Sequence, residues 1–239
     1  MNSQNLQLAA REAGKKTAEA VFEERENLRE SLLRDSQYPW RRNPSPYEVL
    51  LAEFLLRKTT ARQAESVFLE LLKQHPGPCS FARASVEDLA AFLQPLGLRG
   101  RAMLLVDAMR EICERYSGEV PCEREALEEI KGLGPYMAGA VLSFGCKKRE
   151  PIVDTGIARL WNRVTGGAVT KRYSPHRDPA AWEASFAYIQ AYPGPPDEGN
   201  YILLDLARLL CTPKAPACAE CPLKTVCAAG RSAPDQFSR

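Results

Sequence analysis

The segment CTPKAPACAECPLKTVC, from Cys211 to Cys227, restricts this chain more than any other stretch. Its cysteines follow a C-x6-C-x2-C-x5-C spacing, and Pro213, Pro216 and Pro222 stiffen the loops between them. Four thiolates so close in sequence can wrap one metal centre, so this part of the chain is expected to close around a point. Cysteine-only ligation suits a structural zinc ion or a 4Fe-4S cluster. Zinc sites usually carry two short Cys-x2-Cys knuckles, and only one is present here, which tilts the spacing toward the cluster. Four unliganded cysteines are the plain alternative.

Four more cysteines, Cys79, Cys113, Cys122 and Cys146, are scattered. The opening MNSQNLQLAAREAGKK lacks the basic-then-apolar order of a signal peptide. No apolar run reaches the roughly 18 residues that would span a bilayer. The chain therefore reads as a cytoplasmic, nucleoid-associated protein, and in a reducing compartment the scattered cysteines are expected to be small inert thiols rather than a disulfide framework.

A content of 45% hydrophobic and 26% charged residues fits a soluble globule of one large or two small domains. The 32 basic and 30 acidic residues nearly cancel, so their placement says more than their sum. Basic residues gather at Arg57 and Lys58, at Arg99 and Arg101, at Lys147 to Arg149, and at Lys171 and Arg172. Each group sits beside a glycine-containing or helix-ending segment, where backbone amides could also meet phosphate.

The hydrophobic pattern is helical throughout. Residues 1 to 35 read as a helical opening, and the prolines of YPWRRNPSP end it. Ser45-Pro46 supplies an N-cap and a first-turn proline for a helix that carries Glu53 among apolar residues, in LLAEFLLRKTT. An acid so placed is expected to be buried. An amphipathic helix follows over Thr59 to Gln74, then short helices at about 85–93, 100–116 and 123–130 between Gly/Pro connectors. In EALEEIKGLGPYMAGAVLSFG, one helix ends near Ile130, Gly132-Leu133-Gly134 forms a turn, and Pro135 opens a second helix. The glycines free backbone amides that could grip a phosphate, giving a helix-hairpin-helix, although the same pattern also fits a plain helical corner. In PIVDTGIARLWNRV, Asp154 precedes an apolar stripe of Ile157, Leu160, Trp161 and Val164, where an ordinary N-cap is the simple reading. Helices over Ala180 to Ala191 and about Tyr201 to Leu210 lead into the cysteine loop. The fold class is all-α.

Taken in this order, these pieces resemble the helix-hairpin-helix DNA glycosylase superfamily, the group of endonuclease III, MutY-type adenine glycosylases and thymine mismatch glycosylases. The matching motifs are PW at 39 and 40, AEFLLRKTT, LGL at 96 to 98, GLGPYMAGA, VDTG and NYILLDLARLLCTPKAPACAECPLKTVC, spanning about Tyr38 to Cys227. The resemblance implies two helical domains with a DNA-binding cleft between them. A six-helix barrel with the hairpin would occupy 36–149, and a 4Fe-4S cluster domain 1–35 and 150–239. Cys211, Cys218, Cys221 and Cys227 would hold the cluster. Asp154 matches the essential aspartate, Glu53 a glutamate at the base pocket, and Gly132, Leu133 and Gly134 the phosphate grip, while Arg57 and Lys58 would contact DNA. Bifunctional members place a lysine where this chain has Tyr136, and a phenol forms no Schiff base, so strand cleavage is expected to be weak or absent.

Tyr136 and the basic pair of AEFLLRKTT point to removal of thymine or uracil opposite guanine, although VDTG is closer to the endonuclease III form. MutY-type enzymes add a C-terminal domain that checks 8-oxoguanine, which is not expected here because the sequence ends shortly after Cys227. The resemblance thus implies a monofunctional, monomeric repair enzyme acting on double-stranded DNA with a mismatched or damaged base, with no membrane partner. Two alternatives stand beside it: an adenine glycosylase acting opposite guanine or 8-oxoguanine, and a non-catalytic DNA-binding iron-sulfur protein.

Overall fold

The computed structural model describes residues 3–32, 37–57, 59–168 and 177–232. Among the described residues the regular structure is helical and no strand forms. The chain divides into two compact units, Ser36–Lys147 and Met1–Asp35 with Lys148–Arg239. Arg149 belongs with the second unit because its guanidinium donates to the carbonyls of Ile189, Tyr192 and Gly194 at 3.1, 2.6 and 3.0 Å.

The unit Ser36–Lys147 contains α3 (Pro46–Leu55), α4 (Ala61–Gln74), α5 (Pro78–Phe81), α6 (Val86–Leu93), α7 (Ala102–Tyr116), α8 (Arg124–Glu129) and α9 (Pro135–Ala140). Helix α3 begins where the sequence says it must. The Ser45 hydroxyl accepts from the Glu48 N–H, the Glu48 carboxylate accepts from the Ser45 N–H at 2.7 Å, and Pro46 fills the first turn. Such a cap stabilises a helix by about 1 kcal/mol. Tyr47, Val49, Leu50, Leu51, Ala52, Phe54 and Leu55 are all buried, so α3 is wrapped on nearly every side. Thr60 and Gln63 form an equivalent box ahead of α4.

Helix α9 runs on into a π turn, Val141–Gly145, which packs against α3. The Cys146 N–H closes the turn by donating to the Val141 carbonyl at 3.0 Å. A Cβ on Gly145 would lie 2.6 Å from Pro46 Cα, so only glycine lets the turn seat against the start of α3. The four scattered cysteines are not thiols here, contrary to expectation. They form two disulfides, Cys79–Cys113 and Cys122–Cys146, with Cα atoms 4.9 and 5.9 Å apart. Sequence spacing could not reveal this, because the fold brings together cysteines 34 and 24 residues apart. A Cβ on Gly118 would meet Cys79 Sγ at 2.9 Å, so the chain leaves room for that bridge.

The second unit contains α1 (Ser3–Glu23), α2 (Arg25–Leu32), α10 (Thr155–Val164), α11 (Pro179–Ala191), α12 (Pro196–Asp205) and α13 (Ala228–Arg231). Helices α1 and α11 lie so close that a Cβ on Gly14 would fall 2.3 Å from the Ala184 carbonyl oxygen. Ile157, Leu160, Trp161 and Val164 form the buried stripe of α10, and Trp161 donates to the Ser185 hydroxyl at 2.7 Å. A second π turn, Leu206–Leu210, follows α12, and the Cys211 N–H closes it on the Leu206 carbonyl at 2.7 Å. The helix expected from Tyr201 therefore starts a turn earlier, at Pro196, with Asp197 and Glu198 in its first turn. No helix of the described chain is long and apolar enough to cross a membrane.

Candidate functional site

In the first unit the structure brings Glu53 of α3 and Tyr136 of α9 together. The Tyr136 hydroxyl stands 3.5 Å from Glu53 Oε1, at the long limit of a hydrogen bond. Glu53 is part-exposed, not buried as its neighbours led us to expect, because it falls on one of the few uncovered positions of α3, with Pro46 and Glu48. Tyr136 is part-exposed as well. Two polar groups able to donate and accept protons thus share a solvent-reachable edge between buried Phe54 and Met137.

Arg57 completes this group. Its guanidinium is half-buried, donates to the Met137 sulfur and lies 5.7 Å from the centre of the Phe54 ring. Burial, and then the neighbouring Arg101, lower its pKa, while Glu53 and Tyr136 pull the other way. Sequence reading placed Arg101 with a separate basic pair, and only the fold brings its charge to bear on Arg57. Lys58, Lys171 and Arg172 lie outside the described residues. Arg149 of the third basic group is committed to the carbonyls that end α11 and is a helix cap rather than a free cation.

Gly132, Leu133 and Gly134 form the turn between α8 and α9. Gly132 has φ +95°, which calls for glycine, and a Cβ there would also displace the end of the Leu104 side chain, 2.7 Å away. Leu133 is buried and anchors the turn, while Gly134 is exposed with open space around its Cα.

In the second unit Asp154 caps α10, its Oδ1 accepting from the Ile157 N–H at 2.7 Å. The carboxylate stays part-exposed, and one oxygen is enough for the cap. A Cβ on Gly156 would sit 3.2 Å from Asp154 Oδ1, so the Thr-Gly pair leaves the carboxylate room.

Cys211, Cys218, Cys221 and Cys227 line one cavity, together with Leu160, Arg163 and Leu223. Burial raises the Cys221 thiol to about 11 and pushes Cys227 up too. Among the described residues no three cysteine, histidine or acidic side chains converge as they would on a single metal ion. Two arginines of α10, which sequence reading passed over, hold the loop. Arg159 donates to the Cys211 and Ala207 carbonyls at 2.8 and 2.7 Å. Arg163 donates to the carbonyls of Cys211, Thr212 and Pro213 at 3.2, 2.7 and 3.1 Å, and to Cys211 Sγ at 3.2 Å. Their signal was present: two arginines four residues apart, off the apolar stripe of α10.

An all-helical chain with this hairpin, capping aspartate and cysteine loop has the fold of the helix-hairpin-helix DNA glycosylases, hydrolases of N-glycosyl bonds. The solved structure of a thermostable thymine-DNA glycosylase superposes with a TM-score of 0.80 at 25% identity, covering 93% of this chain and 98% of the other. The thymine-DNA glycosylase of Aeropyrum pernix is 40% identical over 194 residues, 81% of this chain and 86% of its own. The thymine/uracil-DNA glycosylase of Pyrobaculum aerophilum is 40% identical over 79% of this chain and 82% of its own. No family model matches the chain. With that identity over most of both chains, it belongs to the thymine-DNA glycosylase family.

Proposed function

We propose that this chain removes thymine or uracil mispaired with guanine from double-stranded DNA, working as a monomer and leaving the strand intact. The observation that carries this reading is Tyr136 beside Glu53: a phenol stands in the hairpin where strand cleavage would need an amine. The thymine and thymine/uracil glycosylase relatives of Aeropyrum pernix and Pyrobaculum aerophilum support that substrate class.

The target base must leave the stack before it can be reached, which costs a few kcal/mol and least for a mismatch. The hairpin amides around Gly132 and Gly134 hold the strand by its phosphates, without reading sequence. Tyr136 and Glu53 receive the base, Glu53 hydrogen-bonding it or donating a proton as the bond breaks. Asp154 stabilises the positive charge growing on the sugar and orients water, while its second oxygen keeps the cap. Arg57, with Lys58, contacts the DNA beside the emptied position.

The cysteine quartet fits a 4Fe-4S cluster better than zinc. One zinc ion holds every sulfur at about 2.3 Å and gathers all four to one point. A cluster binds each thiolate at its own corner, which suits four cysteines that line one cavity with a single Cys-x2-Cys pair among them. Cys211, Cys218, Cys221 and Cys227 would hold it, and when bound it supplies a rigid anchor for the loop. Arg159 and Arg163 shape that loop through backbone carbonyls.

Duplexes carrying T·G, U·G, A·G and a damaged pyrimidine, incubated with the protein and analysed with and without alkali, test the function. Strand breaks at T·G and U·G that appear only after alkali are expected. Excision confined to A·G, or breaks without alkali, would overturn the reading.

A further inference from the structure

The two disulfides of Ser36–Lys147 bracket different things. Cys79–Cys113 joins α5 to α7, helices already packed against each other. Cys122–Cys146 joins a residue two positions ahead of α8 to the residue that closes the π turn. Helix α8, the Gly132–Gly134 turn, α9 and the π turn therefore form one covalent ring, and Tyr136 lies within it.

This ring is held unevenly by other forces. Met137 to Phe144 is buried throughout, whereas α8 and the turn bury only Leu127, Ile130 and Leu133. Helix α8 has only six residues, too few to persist alone, while α9 runs on into the π turn, and neither Glu123 nor Gly134 caps through a side chain. The polar ties to α7 are exposed: Arg115 with Glu129 at 2.6 Å, and the Lys131 N–H to Glu111 at 3.3 Å. At the base of the ring Gly145 abuts Pro46, the first residue of the helix that carries Glu53. Pinning the two ends of the ring, with Cα atoms 5.9 Å apart, thus fixes Tyr136 relative to Glu53 as well as the hairpin itself.

We propose that the Cys122–Cys146 disulfide is a positioning clamp for DNA binding: it keeps the hairpin and Tyr136 in the arrangement that accepts a duplex. Affinity depends on this bridge and not on Cys79–Cys113. The inference rests on the glycosylase reading above.

The test begins by mapping both bridges in the full-length protein by mass spectrometry of unreduced peptides. Cys122→Ser with Cys146→Ser is then compared with Cys79→Ser with Cys113→Ser, at a temperature where both pairs keep the helical circular dichroism of the parent. Cys122→Ala with Cys146→Val gives the same reading where the serine pair does not fold. Binding is measured by fluorescence anisotropy with a duplex carrying an abasic-site analogue opposite guanine. Opening the ring is expected to lower affinity about tenfold, as when the competent state falls to about a tenth of the population. Tryptic cleavage after exposed Lys131 should rise in the same variant, and the Cys79/Cys113 variant should match the parent in both measurements. Equal losses in the two variants, no loss in either, or the absence of the Cys122–Cys146 peptide would overturn the clamp alone. A parent protein that binds no duplex would overturn the glycosylase reading and the clamp with it.

Discussion

The Tyr136 hydroxyl and Glu53 Oε1 stand 3.5 Å apart, linking the hairpin to the helix that crosses behind it. Both side chains are part-exposed, so their contact adds little to stability. Tyr136→Phe should change the unfolding free energy by less than about 0.5 kcal/mol. It should slow single-turnover excision by about a hundredfold, the usual contribution of a positioned proton donor. Tyr136→Lys should add alkali-independent nicking of the product strand.

Asp154 serves as a cap and, in the proposed mechanism, as a charge stabiliser, and one substitution separates the two. Asparagine caps a helix as well as aspartate does, so Asp154→Asn should leave thermal stability nearly unchanged. It removes the negative charge, and excision should fall by about 10² to 10³. Asp154→Ala should show the same catalytic loss and a further destabilisation of about 1 kcal/mol. Full excision by Asp154→Asn would leave the residue as a cap and nothing more.

Gly145→Ala tests the seat of the π turn on α3. The added methyl would meet backbone atoms of Pro46, which cannot swing aside as a side chain could. Chemical denaturation should show a loss of about 1 to 3 kcal/mol. Gly134→Ala, at a glycine with nothing near its Cα, is the contrasting control and should be far milder.

Arg163→Gln removes donors to three carbonyls and one sulfur of the cysteine loop. If the proposed cluster is bound, iron and sulfide per chain should fall, and visible absorbance should fade faster under a chelator. Arg163→Lys should restore little, because a single ammonium cannot reproduce the planar fork that reaches several acceptors. Zinc in place of iron in the parent protein would exclude the cluster.

Most helix starts were legible in the sequence because they rest on local chemistry. Ser45-Pro46 and Asp154 each announce a helix within a few residues, and Ser45 and Asp154 each cap one in the structure. The disulfides were not legible, since pairing depends on where distant helices meet and the compartment argument pointed the other way. Arg149 looked like part of a basic patch until its carbonyl partners, 40 to 45 residues away, came into view. Glu53 shows a limit of periodicity itself: apolar neighbours along a helix say that most faces are covered, not that all are. Arg159 and Arg163 were written in plain spacing, but the acceptors that give them a role are carbonyls, and sequence does not show where carbonyls point.

The two π turns carry a consequence for how this chain can evolve. Each holds one residue more than an α-helix would need before its cysteine, Cys146 in one case and Cys211 in the other. Losing a residue from either turn would let it relax to α geometry and rotate the following cysteine by about 100° about the helix axis. Cys146 would then face away from Cys122, and Cys211 away from its three companions. Side chains within Val141–Gly145 and Leu206–Leu210 can drift within the limits of packing, but the number of residues is fixed, so insertions and deletions belong elsewhere in the chain.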